Sequence, residues 1–153
     1  MSSLKLLALD QEDLSVISTH LQDAIVRSED LIYLNSDQRF LVIANRFDWE
    51  YALEQDKSSK SDYRRCRSVV RFDRVLGVQS QNIAPAAEDI ILELLAIEFE
   101  ASDPPGGYLT LQFSGKSVIR LQVECIEVEL LDLGAVWKTR NKPDHQEESD
   151  LAE

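Results

Sequence analysis

Basic residues are concentrated in one segment of an otherwise acidic chain. Residues 57–74 hold seven lysines and arginines against two aspartates, a net charge of +5, whereas the whole chain carries −12. A guanidinium group can donate two hydrogen bonds to one carboxylate or phosphate, and aromatic rings stack on it. The segment and its aromatic neighbours therefore predict an anion-binding surface, with the candidate ligand-binding residues Arg46, Trp49, Arg64, Arg65, Arg67 and Arg71.

The same arginines have a second interpretation, in which they pair with the surplus acids of the chain itself. On the first interpretation the chain is a non-catalytic binding or adaptor module, and its partner is an anionic small molecule or an acidic protein. We do not expect nucleic acid or an anionic membrane, since a chain of net charge −12 and pI near 4.6 repels phosphate groups.

Glutamates offer an alternative function, a small hydrolase-type enzyme with a carboxylate-centred site. Two sets of three, from residues 93–100 and 124–129, have the spacing of strand residues: Glu93, Glu98, Glu100, Glu124, Glu127 and Glu129. Paired carboxylates perform acid–base chemistry when they share a desolvated pocket. Glutamates buried in a cleft would favour the enzyme, and exposed glutamates would favour the module.

Familiar catalytic and metal-binding motifs are missing from the sequence. It has no GxSxG, no GxGxxG and no zinc-ligand spacing, and its two histidines lie far apart. Gly115-Lys116-Ser117 resembles the end of a phosphate-binding loop, but that motif needs glycine where Thr110 stands. We therefore predict no catalytic residues, no metal site and no cofactor.

Composition indicates a soluble, acidic protein of one domain. The chain has 153 residues, 44% of them hydrophobic and 29% charged, and it has no apolar run long enough to span a membrane. Cys66 and Cys125 are far apart, so we expect two reduced thiols, with Cys125 buried. With no signal peptide recognisable at the start, the predicted location is the cytoplasm. The oligomeric state is left open.

The stretch from Gly107 to Gly134 organises the predicted fold. Apolar and polar residues alternate on both sides of a Ser114–Lys116 corner, which is typical of an antiparallel hairpin. The alternation shifts by one residue at Cys125-Ile126. We expect one long strand there, bent so that its apolar row stays inward.

The remaining elements follow from helical or strand periodicity. Asp10 is placed to cap a helix over Gln11 to Ala24. The predicted strands are a first one over residues 4–8, a hairpin of 31–34 and 40–47, one or two strands over 67–79, and one over 90–99, where a helix also fits. Residues 53–61 are predicted to be a mobile loop.

These elements predict an α+β fold, with an N-terminal helix packed on an antiparallel β-sheet or flattened barrel of about six to eight strands. Residues 1–137 form the predicted domain. Residues 138–153 have almost no apolar content and are predicted to be a disordered, charged C-terminal tail.

Four segments resemble a family of small bacterial proteins known only as a domain of unknown function. They are DLSVISTHLQDAIV, RFLVIANRFDWE, LLAIEFE and IRLQVECIEVELLDLG, the last followed by Trp137, Thr139 and Pro143. The resemblance spans nearly the whole chain and implies a single cytoplasmic domain. It assigns no activity and no functional residue.

Overall fold

The computed structural model describes residues 4–57, 63–83 and 90–139. Within these ranges the chain forms nine strands and two α-helices. In order they are β1 (Lys5–Ala8), α1 (Gln11–His20), β2 (Ala24–Leu34), β3 (Arg39–Phe47), α2 (Trp49–Lys57), β4 (Tyr63–Phe72), β5 (Val75–Gln81), β6 (Ile91–Ala101), β7 (Gly107–Phe113), β8 (Val118–Val123) and β9 (Val128–Thr139).

All nine strands join in one open sheet of order β1-β9-β4-β3-β2-β6-β7-β8-β5, and every neighbouring pair is antiparallel. The predicted α+β class agrees with this architecture. The predicted strand number was too low, because residues 118–139 supply two strands where one was expected. The helix is not N-terminal, since β1 precedes α1 and pairs with β9.

The core is a single cluster of buried side chains contributed by both halves of the sheet and by α1. Leu14 and Ile17 of α1 are buried, as is Leu21 directly after it. The N–H of Val75 in β5 donates to the carbonyl of Gln38, between β2 and β3, so the curled sheet brings distant strands together. Burial of this shared apolar surface is the main stabilising contribution.

Helix α1 begins where the sequence predicted and ends earlier. Asp10 caps it, and its carboxylate accepts from the N–H of Asp13 at 2.8 Å. The helix stops at His20 instead of Ala24. Asp23 adopts a φ of 66° and donates its N–H to Leu94, after which Ala24 pairs with Leu94 as the first residue of β2. Pairing with β6 thus outweighs helical periodicity.

The shift in alternation at Cys125 marks a break between two strands, so the prediction of one long, bent strand was wrong. β8 ends at Val123 and pairs with β5 and β7, whereas β9 begins at Val128 and pairs with β1 and β4. Residues 124–127 carry the chain from one half of the sheet to the other. Cys125 in this connection is only partly buried, contrary to the prediction, while Cys66 is buried.

Of the other local predictions, most are confirmed and one is wrong in part. The first strand, the hairpin of β2 and β3, the two strands β4 and β5, and the strand over residues 90–99 are confirmed. The predicted loop over 53–61 was wrong for its first part, because α2 continues to Lys57; residues 58–62 lie outside the described ranges. Neither described helix has the length and hydropathy to cross a bilayer.

Candidate functional site

Strand alternation distributes the basic segment over two faces of the sheet. In β4, Cys66, Ser68 and Val70 are buried toward the core, whereas Arg65 and Arg67 lie half-buried on the opposite face. Period-two geometry requires this separation. The predicted surface is therefore two sites: an inner cluster around Arg46 and Arg64, and an outer face that carries Arg65, Arg67 and Arg71.

An ion pair between Arg46 and Asp132 forms the floor of the inner cluster. Nε of Arg46 donates to Oδ1 of Asp132 at 2.9 Å, and Nη2 donates to Oδ2 at 2.8 Å. Only 3% and 5% of the two side chains are exposed. Arg46 is on β3 and Asp132 on β9, so the pair crosses the intervening β4.

Two further donors satisfy the Asp132 carboxylate. The Ser68 hydroxyl donates to Oδ1 at 2.6 Å, and the backbone N–H of Leu4 donates to Oδ2 at 2.9 Å. Burial by itself would raise the pKa of Asp132, but the hydrogen bonds from Arg46, Ser68 and Leu4 outweigh burial, so the pKa lies below its usual value. Asp132 is therefore a permanently charged structural anion at neutral pH.

A second ion pair lies beside the first, at the start of α2. Asp48 accepts from the N–H of Tyr51 at 3.1 Å, which caps the helix, and from Nη2 of Arg64 at 2.6 Å. The Arg64 guanidinium lies over the Tyr51 ring, 4.1 Å from its centroid. The Cys66 thiol faces Asp48 at 3.9 Å, and burial raises the pKa of that thiol.

These residues line a cavity of about 370 Å³, together with Leu4 and two glutamates of α2; the full lining is Leu4, Arg46, Asp48, Glu50, Tyr51, Glu54 and Arg64. Its size suits a small ligand. The lining carries three carboxylates against two guanidinium groups, and both guanidinium groups already bind aspartates. An anion would meet net negative charge here.

His20, the last residue of α1, lies close to this inner cluster. Burial lowers its pKa, and the positive charge of Arg46 lowers it further, against the opposing effect of Glu50, Asp132 and Asp48. Nδ1 of His20 is buried without a hydrogen-bond partner within the described residues. The imidazole is therefore held in its neutral form at neutral pH.

On the outer face, Arg65 and Arg67 interact with β3 rather than with a close carboxylate. Nη1 of Arg65 donates to the Asn45 carbonyl at 3.1 Å, and its guanidinium lies 5.7 Å from the Phe47 ring centroid. Arg67 reaches the Asn45 amide oxygen at 3.5 Å and Asp30 at 4.0 Å. Within the part of the chain that the structure describes, Arg65 forms no ion pair within 4.0 Å, and that of Arg67 is long. Burial lowers the pKa of Arg65, and the negative charges of Glu93 and Asp23 oppose this effect.

The other arginines near this face are neutralised by the protein itself. Arg71 pairs with Asp73 at 2.9 Å and with Glu129 at 3.1 Å, and Arg39 pairs with the same Asp73 at 2.8 Å. The internal-pairing interpretation is thus correct for Arg46, Arg64 and Arg71. Among the described residues of the basic segment, Arg65 and Arg67 are the two without a carboxylate at hydrogen-bond distance.

Trp49 packs beside the outer arginines as the first residue of α2. Its ring meets Phe47 edge-on at 4.6 Å between centroids, and its Nε1 donates to the carbonyl of Gln22 at 3.3 Å. Phe47 is fully buried by this packing and Tyr63 lies 5.8 Å from it. Trp49 thus lies at the aromatic end of the outer face. In these contacts its ring packs on Phe47 and does not stack on an arginine.

An apolar strip continues the outer face beyond the arginines. Ile43, Val69 and Leu131 lie opposite one another on β3, β4 and β9, and each is half-buried. They share the face of Arg65 and Arg67, because they occupy alternate positions along the same strands. We name this surface, made of Arg65, Arg67, Ile43, Val69 and Leu131, the outer patch.

The glutamates of the enzyme hypothesis do not meet in a cavity. Glu98, Glu100 and Glu124 are exposed, while Glu127 and Glu129 pair with Arg74 and Arg71. Glu93 is half-buried, and its charge acts on Arg65. Among the described residues, no three histidine, cysteine, aspartate or glutamate side chains are placed to hold a metal ion.

The acidic members of the inner cluster were missed by the sequence analysis, although the sequence carries a signal for them. Arg46 follows Phe40, Val42 and Ala44 in the buried phase of β3, and Asp132 follows Val128 and Leu130 in that of β9. A charged residue in an apolar register indicates a buried ion pair. Which charge pairs with which depends on the strand order, and that is not readable locally.

A family model described as "Protein of unknown function (DUF2948)" matches residues 4–145, which confirms the predicted resemblance to a domain of unknown function. No curated protein and no solved structure matches the chain.

Proposed function

The chain belongs to the family of proteins of unknown function DUF2948, and we propose that it is a non-catalytic binding module that holds an acidic protein segment on its outer patch. One observation carries this proposal: Arg65 and Arg67 lie side by side on β4 and are held by Asn45 instead of by close carboxylates. Among the described residues neither guanidinium group has a carboxylate oxygen closer than 4.0 Å, although Asp30 faces Arg67 and the charges of Glu93 and Asp23 act on Arg65. Such preorganised guanidinium groups suit carboxylates.

The shape of the outer patch favours a protein partner over a small anion. The two arginines and the apolar strip are half-exposed on the sheet face formed by β3, β4 and β9, away from the cavity of the inner cluster. A small anion could use the two guanidinium groups and nothing else. A segment with alternating acidic and apolar residues could use the apolar strip as well.

The charge of the inner cluster also favours the outer patch as the binding site. The guanidinium groups of the inner cluster are occupied by Asp132 and Asp48, and Glu50 and Glu54 also line the cavity. Five of the six glutamates of the enzyme alternative are exposed or paired with arginines, which favours the binding module. Two unpaired thiols, Cys66 and Cys125, are consistent with a reducing compartment such as a bacterial cytoplasm.

The test is the binding of a fluorescein-labelled peptide of alternating glutamate and leucine, measured by fluorescence anisotropy on the full chain. We expect saturable binding that weakens as salt rises, because exposed charges are screened within about 10 Å at 0.1 M. Arg65→Gln with Arg67→Gln should abolish it. The same peptide with glutamine in place of glutamate is the charge control.

Arg120→Gln is the matched control variant. Arg120 lies on β8, its side chain is 44% exposed compared with 41% for Arg67, and it pairs with Glu100 at 3.6 Å. Its replacement should leave binding unchanged. If the Arg120 variant lost binding as the Arg65/Arg67 variant does, the effect would come from the net charge of the protein, and the proposal would be overturned. Saturable binding whose affinity does not change with salt would also overturn it.

A further inference from the structure

The chain that follows β9 carries the charge that the outer patch is suited to bind. Residues 144–153 contain five acidic residues and neither lysine nor arginine: Asp144, Glu147, Glu148, Asp150 and Glu153. Leu151 lies among them, so this segment combines the acidic charge with one apolar side chain for the strip. It is the most acidic segment that follows the described part of the chain.

The pairing of β9 with β4 places the start of this segment within a few residues of the outer patch. Thr139, the last residue of β9, lies opposite Tyr63, and Trp137 lies opposite Arg65. Arg67 is four residues along β4 from Tyr63, or about 13 Å at 3.3 Å per residue. Residues 140–143 can span up to roughly 14 Å, and 144–153 add about 33 Å at full extension.

The residues that directly follow β9 have the composition of a turn that reverses the chain direction. Asn141, Pro143 and Asp144 follow within a few residues of β9, and these residue types favour turns. A reversal is required, since β9 runs toward the start of β4 and the outer patch lies back along that strand. The length and the chemistry of the chain are therefore both sufficient for contact with Arg65 and Arg67.

We propose that residues 144–153 bind the outer patch of the same chain and compete with its acidic partner. This inference rests on the proposed function, because it names the regulation of that site. Asp150 and the two glutamates before it would meet Arg65 and Arg67, and Leu151 would meet the apolar strip. The contact is weak and reversible.

A tethered segment acts as a competitor at high effective concentration. Short flexible connections give effective concentrations of about 1 mM. A segment whose intrinsic dissociation constant is about 0.1–1 mM would therefore raise the apparent dissociation constant of a free partner roughly two- to tenfold. Removal of its charge should restore the full affinity of the outer patch.

The experiment compares the unchanged chain with a variant that carries Glu147→Gln, Glu148→Gln and Asp150→Asn, in the same anisotropy assay. The full chain is kept in both proteins. We expect the variant to bind the glutamate–leucine peptide two- to tenfold more tightly, and we expect no gain when Arg65→Gln and Arg67→Gln are also present. Glu98→Gln with Glu124→Gln and Glu100→Gln, three exposed acids elsewhere, is the charge-matched control.

Backbone amide NMR gives a second readout that needs no partner. Neutralising the three acids should shift the resonances of Asn45, Arg65 and Arg67, and it should leave those of β7 and β8 unchanged. Equal peptide affinity in the two proteins, with unshifted resonances, would overturn the inference and leave the proposed function in place. Loss of peptide binding in every protein, with these shifts present, would overturn the proposed function and retain the contact within the chain.

Discussion

Arg46 and Asp132 join β3 to β9 across the strand between them, through two parallel hydrogen bonds of 2.9 and 2.8 Å in the interior of the protein. Desolvation of two charges is costly, and a buried pair offsets that cost only when its remaining hydrogen-bonding groups are satisfied. The Ser68 hydroxyl and the Leu4 N–H donate the further hydrogen bonds that the Asp132 carboxylate needs. The pair fixes the register of three strands and the start of β1.

Loss of the Asp132 charge should therefore be strongly destabilising. Asp132→Asn leaves Arg46 buried without its counter-ion, and we expect the free energy of unfolding in urea to fall by about 3–5 kcal/mol. Glu127→Gln, which removes the exposed pair with Arg74, should cost less than about 1 kcal/mol. Arg46→Met with Asp132→Leu should recover most of the loss, and a double variant weaker than Asp132→Asn would contradict this account.

The same carboxylate should make stability depend on pH in the acid range. The folded pKa of Asp132 is lowered, so its contribution is fully present above the unfolded value of about 3.9 and is lost as pH falls through the folded pKa. The difference in unfolding free energy between the unchanged protein and Asp132→Asn should be constant from neutral pH to about pH 5 and then shrink below about pH 4. A difference that grows on acidification would have the wrong sign.

Local sequence patterns predicted most elements of the fold, because their causes are local. The Asp10 cap, the β2–β3 hairpin and the corner at Gly115 each depend on a few adjacent residues. A loop was predicted in place of the end of α2 because strand-forming residues are scarce in that segment. This prediction overlooked Asp48 as a cap and the helix-favouring residues after it.

The candidate site was less predictable, since it depends on contacts between distant strands. Asp132 is 86 positions from Arg46 and 64 positions from Ser68. Six residues were predicted to form one basic surface. Alternation along β3 and β4 places Arg46 and Arg64 on the opposite face from Arg65 and Arg67, and only the order of strands shows which acids meet them.

The two cysteines should differ in reactivity, in the order opposite to the one expected from sequence. Cys66 is buried and burial raises its pKa, so little thiolate is exposed to reagent, whereas Cys125 is half-exposed. Thiol titration of the native protein should show one fast and one slow phase, and denaturation without reductant should release two thiols. Cys125→Ser should remove the fast phase. A surviving fast phase would place Cys66 at the surface.

His20 provides a probe of the charges in the inner cluster. Burial and Arg46 lower its pKa, and Glu50 is the first of the carboxylates that oppose them. In proton NMR titration, with His145→Gln used for assignment, the His20 imidazole should titrate below the usual value of about 6.5. Glu50→Gln removes an opposing charge at the surface, so the pKa should fall further.

The linked effect on stability has a definite sign. Because the folded pKa of His20 is lowered, the unfolded chain binds more protons between the two values, and stability is lost as pH falls below about 6.5. His20→Gln should remove that part of the pH dependence, as measured by urea unfolding.

For the NMR titration of His20, Glu124→Gln is the control. Glu124 is an exposed carboxylate outside the cluster, so its replacement should leave the His20 titration unchanged. A pKa that rises in Glu50→Gln would mean that Glu50 does not act on the imidazole as a negative charge.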